Sequence, residues 1–187
     1  SLTPCVVTPS QKSADEELPS DLKEFFKLNN KRIKIVFSGG NGKWQQIEET
    51  CELIQNLIET NDACGLFLCP PHPSIEALKN CFPDFVFQTT LPPSSVHSAL
   101  LQCDYGIILR ENNITNRVAS PIKIAEYLYA GLKVILSPNI GDYSEQLTAN
   151  GYGIIKKNQN TFHLKPVSIN EKKTIKNFIF ISPFCVQ

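Results

Sequence analysis

The feature that most constrains the fold of this chain is an alternation, from Arg32 to Lys156, of short apolar runs with longer amphipathic segments. Short continuous apolar runs are typical of parallel strands that helices cover on both faces. Strands are predicted at 33–37, 64–69, 85–88, 105–109, 133–136 and 152–155, with helices at 44–60, 74–81, 94–102, 120–130, 143–149 and 169–181. The pattern predicts an α/β fold built on one doubly wound parallel sheet of about six strands, with flanking helices and a C-terminal helix.

The regions that flank this alternation are less regular. Residues 1–19 are polar and interrupted by proline, which predicts a linker with one short strand at 5–8. Ser20 is expected to cap a short peripheral helix. We therefore predict one domain over 20–156 and, over 157–187, a connection that leads into the last helix. Because the chain contains no methionine, we expect it to be a fragment of a longer protein.

Charge and cysteine usage narrow the possible functions. The chain has 18 Lys and Arg against 18 Asp and Glu, without a basic face, which argues against nucleic acid as a partner. Seven cysteines without a Cys-x-x-Cys pair indicate a reducing cytoplasm, and no apolar run approaches the ~20 residues that span a bilayer. Cys69, His72 and Cys81 do not have the spacing of a zinc finger, so we interpret the strand cysteines as core residues and predict no metal site.

Two loops at the carboxyl ends of predicted strands carry the candidate ligand site, at 38–44 and 110–119. The first loop lacks the third glycine of a dinucleotide fingerprint, and it lacks the Ser or Thr that follows Lys in a Walker loop. A flexible backbone with free N–H groups that opens a helix is still expected here, able to approach a phosphate or a sugar, with Lys43 as a counter-charge. The alternative is a tight turn that only packs a helix on the sheet.

The helix after the second loop is well specified by Ser120 at its N-cap, Pro121 at its first position and Gly131 just past its end. Lys123 lies in the first turn, where the helix dipole disfavours a cation unless an anion is near. Glu126, one turn further on, can accept two hydrogen bonds from a vicinal diol such as ribose. The alternative is a solvated Lys–Glu pair at i,i+3.

Four segments of the chain have the order and spacing of a known family. They are SGG followed by KWQ in the first loop, DYGIILRE at 104–111, SPIKIAEYL at 120–128 and AGLKVI at 130–135. Together they resemble the C-terminal half of a retaining GT-B glycosyltransferase of the group 1 type, which acts in capsule, lipopolysaccharide and related polysaccharide biosynthesis. The resemblance covers 32–156 and implies a Rossmann-like, nucleotide-sugar-binding domain, with 1–19 as the remnant of a missing N-terminal acceptor domain.

The resemblance also implies which residues bind the donor. They are Gly39, Gly40, Lys43, Arg110, Glu111, Asn116, Ser120, Pro121, Ile122, Lys123 and Glu126. Glu126 matches the family's ribose-binding Glu, and the helix start at 120–122 matches the turn that faces the diphosphate. Many members carry a second Glu eight positions earlier, which contacts the transferred sugar, and here that position is Val118. The candidates to replace it are Arg110, Glu111 and Asn116.

The function that the resemblance implies is transfer of a hexose from a nucleoside diphosphate to a glycan or lipid-linked acceptor, with the fragment inactive alone. No metal is expected, because the helix start and basic residues would stabilise the departing diphosphate. The implied location is the cytoplasm, with peripheral association of the full-length enzyme at the inner face of the membrane. The alternatives are a nucleotide-sugar 2-epimerase and a non-enzymatic regulatory α/β module, although the latter should carry an acidic pair at the end of the first strand.

Overall fold

A single parallel sheet of six strands forms the centre of the structure, a computed structural model that describes residues 18–40, 42–111, 122–138, 140, 143–156 and 162–181. The strands are β1 Ile33–Ser38, β2 Ala63–Leu68, β3 Val86–Thr89, β4 Tyr105–Ile108, β5 Lys133–Leu136 and β6 Gly153–Ile155. Their order is β3-β2-β1-β4-β5-β6, with every neighbouring pair parallel. This is a doubly wound sheet whose strand order reverses between β1 and β4, and it confirms the predicted fold class.

Helices follow the strands in the predicted alternation. They are α1 Ser20–Leu28, α2 Ile47–Asn61, α3 Pro73–Cys81, α4 Pro93–Leu101, α5 Ile122–Tyr129, α6 Tyr143–Ala149 and α7 Ile169–Ile181. The predicted bounds of β5, α6 and α7 are the observed ones. The short strand predicted at 5–8 lies outside the described residues. None of the helices in the described ranges is long and apolar enough to cross a membrane.

The central strands are buried on both faces, which explains their continuous apolar runs. Every position of β2 and of β4 is buried. Cys64 and Cys69 lie in this core, as expected, and burial raises the pKa of their thiols to about 12 and about 11. Within the part of the chain that the structure describes, no group of three His, Cys, Asp or Glu side chains is placed to hold a metal.

Helix α1 differs from its prediction in two ways. Ser20 is the first helical residue rather than the cap, and Pro19 at the cap position makes no side-chain bond. The helix is not peripheral either, because Leu22, Phe25 and Phe26 are buried in the core. These three apolar residues recur at helical spacing and form one face, and this spacing is the sequence signal that indicates burial.

Helix α2 begins later than predicted. The sequence pattern predicts a helix from Trp44, whereas Lys43–Gln45 form a separate 3₁₀ turn and α2 starts at Ile47. Gln46 between them has a left-handed backbone with φ of 48°, which interrupts a right-handed helix. The break leaves the first loop longer than predicted and keeps Trp44 within it.

The residues after β6 pack onto the same core as the sheet. The N–H of Leu164 donates to Oδ1 of Asn61 at the end of α2 (2.9 Å), and the N–H of Val167 donates to Oδ1 of Asp104 just before β4 (3.0 Å). Helix α7 then packs against α5, with Ile175 fully buried. The segment 162–181 therefore belongs to the packed unit that the sheet forms.

Candidate functional site

The candidate site is the crevice where the strand order reverses, at the carboxyl ends of β1 and β4. These two strands pair only at Ile35 with Tyr105 and at Val36 with Gly106, whereas β1 pairs with β2 along its full length. Beyond the paired residues, β1 continues into the loop 39–46 and β4 into the loop that carries the second set of predicted residues. The architecture therefore brings the first residues of the two predicted loops to the same edge of the sheet.

A hydrogen bond joins these two loops across the crevice. Nη1 of Arg110, after β4, donates to the backbone carbonyl oxygen of Trp44, after β1 (3.0 Å). The backbone N–H of Arg110 donates to Oγ of Ser137, just past β5 (2.9 Å). Partial burial lowers the pKa of the Arg110 guanidinium, which nevertheless stays cationic near neutral pH. Arg110 thus holds the first loop in position as well as carrying charge into the crevice.

The glycines after β1 lie under the side chain of Gln45. A Cβ on Gly39 would come within 2.3 Å of Oε1 of Gln45, and one on Gly40 would lie 3.6 Å from its Nε2. The Gly39 N–H donates to the carbonyl oxygen of Leu68 (3.2 Å), which continues the pairing of β1 with β2. The N–H of Gly39 is therefore used by the sheet and is not one of the free N–H groups expected in this loop.

Trp44 is a candidate site residue that sequence reasoning missed. Its side chain is 58% exposed, although three of its ring atoms lie so close to Gly42 that a Cβ there would approach them to 2.4–2.6 Å. With its carbonyl oxygen held by Arg110, the residue offers a positioned indole face to a flat ligand. The sequence signal that could have identified it is a lone tryptophan in a glycine-rich loop after a strand.

Helix α5 contributes the charged pair that the sequence analysis singled out. Nζ of Lys123 and Oε2 of Glu126 are 2.8 Å apart, so the i,i+3 ion pair of the alternative interpretation is present. The pair is not fully solvated, however, because the two side chains are only 34% and 29% exposed. Ile122 precedes them as the first residue of α5 and is exposed.

A histidine of α4 packs against helix α5. The ring of His97 packs against that of Tyr129 on α5, with centroids 5.0 Å apart. Burial and the charge of Lys176 on α7 lower the pKa of His97, against the opposing effect of the Glu126 carboxylate. His97 is therefore neutral near pH 7, and it supports the helix that carries Glu126.

The remaining predicted site residues are only partly described. Asn116, Ser120 and Pro121 lie outside the described residues, as does the side chain of Lys43. Glu111 is exposed, next to Arg110 at the last described position of the second loop.

Comparison with known proteins bears on the fold. Neither the family models nor the curated proteins compared with this sequence match it. Among solved structures, WaaG, a glycosyltransferase involved in lipopolysaccharide biosynthesis, matches 97% of this chain and 47% of its own, with 14% identity and a TM-score of 0.55. The E. coli trehalose-6-phosphate protein bound with UDP-2-fluoro glucose matches 91% of this chain and 41% of its own, with 10% identity and a TM-score of 0.52.

The fold is therefore that of one half of a GT-B glycosyltransferase, and the resemblance drawn from the sequence motifs is confirmed at this level. The chain spans less than half of the length of the two structures that it matches.

Proposed function

We propose that this chain is the donor-binding, C-terminal half of a retaining GT-B glycosyltransferase and binds a nucleoside-diphosphate sugar in the crevice between β1 and β4. The observation that carries the proposal is the partly buried carboxylate of Glu126, on a helix that starts beside the crevice. One face of α5 is buried in the core through Ile124, Tyr127 and Leu128, and a partly covered carboxylate beside that face suits a role in ligand binding. The hydroxyls of a ribose are the hydrogen-bond donors that we assign to it.

The charges around the crevice suit a diphosphate. Helix α5 follows the loop after β4, so its N-terminal, partially positive end lies at the carboxyl edge of the sheet. Lys123 in its first turn, which is paired with Glu126, and Arg110 from the end of β4 add two cationic side chains. Together they would stabilise the diphosphate as it leaves the sugar, which is the role of a metal ion in other transferases. We therefore propose a mechanism that needs no metal.

The proposed reaction moves a hexose to a glycan or lipid-linked acceptor, as in lipopolysaccharide or capsule assembly. The likeness to a lipopolysaccharide glycosyltransferase and to a protein solved with UDP-2-fluoro glucose supports these classes of acceptor and donor. The acceptor would bind to a domain that this chain does not contain, so the chain alone would be inactive. We place the full-length enzyme in the cytoplasm, at the inner face of the membrane where lipid-linked acceptors are exposed.

The proposal is tested by calorimetric titration of the chain with UDP, GDP and ADP, and then with the 2′-deoxy form of whichever binds most tightly. Hydrogen bonds to a charged group contribute ~1.5–3 kcal/mol each. Glu126→Ala should therefore weaken binding of the ribonucleotide by roughly 10- to 150-fold. The same variant should lose the preference for ribose over deoxyribose, because the carboxylate is the group that reads the hydroxyls.

Lys123→Ala is the matched control, because it removes the partner of Glu126 and leaves the carboxylate in place. It should weaken diphosphate binding while keeping the preference for ribose. If no nucleotide binds to the unaltered chain, the proposed function is wrong and a regulatory module is favoured. If nucleotides bind but Glu126→Ala binds them normally, the donor site stands and the ribose assignment is wrong.

A further inference from the structure

The hydroxyl group of Tyr127 is inserted between β1 and β4 at the point where the two strands separate. The N–H of Ser38, the last residue of β1, donates to Oη of Tyr127 (2.9 Å). The same hydroxyl donates in turn to the carbonyl oxygen of Ile107 in β4 (3.4 Å). All three residues are buried, so this bridge forms the floor of the crevice.

The bridge replaces a direct contact between strands. Successive N–H groups of a strand point to opposite neighbours, and in β1 those of Lys34 and Ser38 point toward β4. The N–H of Lys34 is accepted by the carboxylate of Asp104 (2.9 Å), and that of Ser38 by the hydroxyl of Tyr127. At the Lys34 end the backbone also pairs directly, because the N–H of Asp104 donates to the carbonyl oxygen of Lys34 (2.8 Å). At the Ser38 end the side chain of Tyr127 takes the place of the β4 backbone.

Space for the Tyr127 ring comes from a glycine in β4. A Cβ on Gly106 would lie 2.3 Å from Cδ2 of Tyr127, so any other residue there would displace the ring. The tyrosine is fully buried, and burial raises the pKa of its phenol, which keeps the hydroxyl protonated and able to donate. The position of the hydroxyl is therefore determined by packing on α5 and β4 together.

We propose that Tyr127 is a positioning residue, whose hydroxyl holds the ends of β1 and β4 apart and so places the Gly39–Gly40 loop for a diphosphate ligand. This inference rests on the proposed function. Ser38 immediately precedes the loop, and the next N–H, that of Gly39, is anchored on the other side by Leu68 of β2. Without the hydroxyl, the N–H of Ser38 must pair directly with β4 or lose its partner, and the end of β1 moves in either case.

The chain offers a matched control for this tyrosine. The hydroxyl of Tyr105 donates to the carbonyl oxygen of Lys165 (2.8 Å), at the opposite end of β4 from the crevice. Tyr127→Phe and Tyr105→Phe each remove one hydroxyl from a buried ring, so both should lower the melting temperature. We expect only Tyr127→Phe to weaken binding of a nucleoside diphosphate, by about five- to tenfold, with a smaller effect on the free nucleoside.

A second measurement tests the bridge without a ligand. Amide hydrogen exchange at Ser38, followed by NMR, should be faster in Tyr127→Phe and unchanged in Tyr105→Phe. Should Tyr127→Phe fail to fold, Gly106→Ala displaces the ring with the hydroxyl retained, and the same selective loss of diphosphate affinity and of Ser38 protection is expected.

The outcomes separate the positioning role from the proposed function. Normal affinity in Tyr127→Phe, an equal loss in both variants, or unaltered exchange at Ser38 would overturn the role of Tyr127 while the donor site stands. Failure of the unaltered chain to bind UDP, GDP or ADP would overturn the proposed function, and the positioning role with it.

Discussion

Arg110 acts on its surroundings through two different groups. Its backbone N–H donates to Oγ of Ser137 just past β5, and one guanidinium nitrogen donates to the carbonyl oxygen of Trp44. A guanidinium has further N–H donors in a fixed planar fork, so the residue can hold the loop and contact a phosphate at the same time. Lysine has no such fork, which makes Arg110→Lys a poor substitute at this position.

Trp44 provides a built-in optical probe of the crevice. It is the single tryptophan of the chain and its indole is largely exposed beside the glycine loop. Saturating nucleoside diphosphate should therefore shift the emission of Trp44 and reduce its quenching by acrylamide. Trp44→Phe removes the signal and serves as the control for nucleotide absorbance. Unchanged emission at a concentration that saturates calorimetric binding would place the ligand away from this loop.

Single residues differ in how far the sequence predicts their roles. Lys123 and Glu126 could be singled out because two charges on an otherwise apolar helix stand out within a few positions. Tyr127 could not, because it fits the apolar face of its helix and its partner Ser38 lies 89 positions earlier in the chain. The hydrogen bond of the Gly39 N–H could not be predicted for a similar reason, since its acceptor, the carbonyl oxygen of Leu68, belongs to another strand.

At the scale of elements, the end of α5 is coupled to α7 through Gly131. This glycine has φ of 81°, and a Cβ on it would lie 2.9 Å from the backbone oxygen of Lys172. Gly151 is the matched control, because it has φ of 74° with nothing within 4 Å. Substitution by Ala should cost about 1–2 kcal/mol at Gly151 from backbone conformation alone. At Gly131 a further ~1–3 kcal/mol is expected from overpacking.

Urea unfolding of the two alanine variants at an unchanged m-value measures this difference in the free energy of unfolding. Equal losses would mean that α7 moves away from α5 without cost, and that the contact between the two helices contributes little to stability.

The start of α7 is a capping box with a charge in it. Oγ of Ser168 accepts from the N–H of Glu171 (3.2 Å), while Oε2 of Glu171 accepts from the N–H of Ser168 (2.9 Å). Oε1 of Glu171 lies 3.1 Å from Nζ of Lys133. The hydrogen bonds with Ser168, followed by the contact with Lys133, lower the pKa of Glu171 from 4.5 to about 2.

A depressed carboxylate pKa predicts how stability depends on pH. The ionised form of Glu171 favours the folded state, so its contribution is complete above pH 4.5 and is lost as the pH falls toward 2. Glu171→Gln keeps the box but removes the charge. The melting temperatures of the two proteins should differ at pH 6 and converge near pH 2. A difference that stays constant over this range would mean that the charge is not coupled to folding.

Elements were predictable where the local pattern is strong. Continuous apolar runs such as β5 and the spacing that defines α2 are local signals, and they locate both elements on the chain. The break at Gln46 was not predictable, because a left-handed glutamine has no signature in a segment that keeps its helical spacing across the break. The first loop was therefore predicted to end at Trp44, whereas it continues to Gln46.

At the scale of the whole molecule, the proposed donor site depends on charges that belong to the chain itself. We assign these charges to Lys123, Arg110 and the start of α5. Nucleoside diphosphate binding should therefore persist in excess EDTA, with an unchanged dissociation constant in calorimetry. Loss of binding on chelation that added Mg²⁺ restores would show that a metal ion carries part of the phosphate charge. Titration in a large excess of Mg²⁺ without EDTA is the control.

The closure of the sheet by the C-terminal segment constrains the order in which a newly made chain can fold. The carboxylate of Asp104 accepts from the N–H of Lys34, early in the chain, and from that of Val167, near its end. During synthesis, β1 and β4 can meet long before Val167 is made, but one oxygen of a nearly buried carboxylate then lacks the partner that it has in the finished fold. The hydrogen bonding of Asp104 is therefore completed only when the segment around Val167 docks, which is a later step than the pairing of β1 with β4.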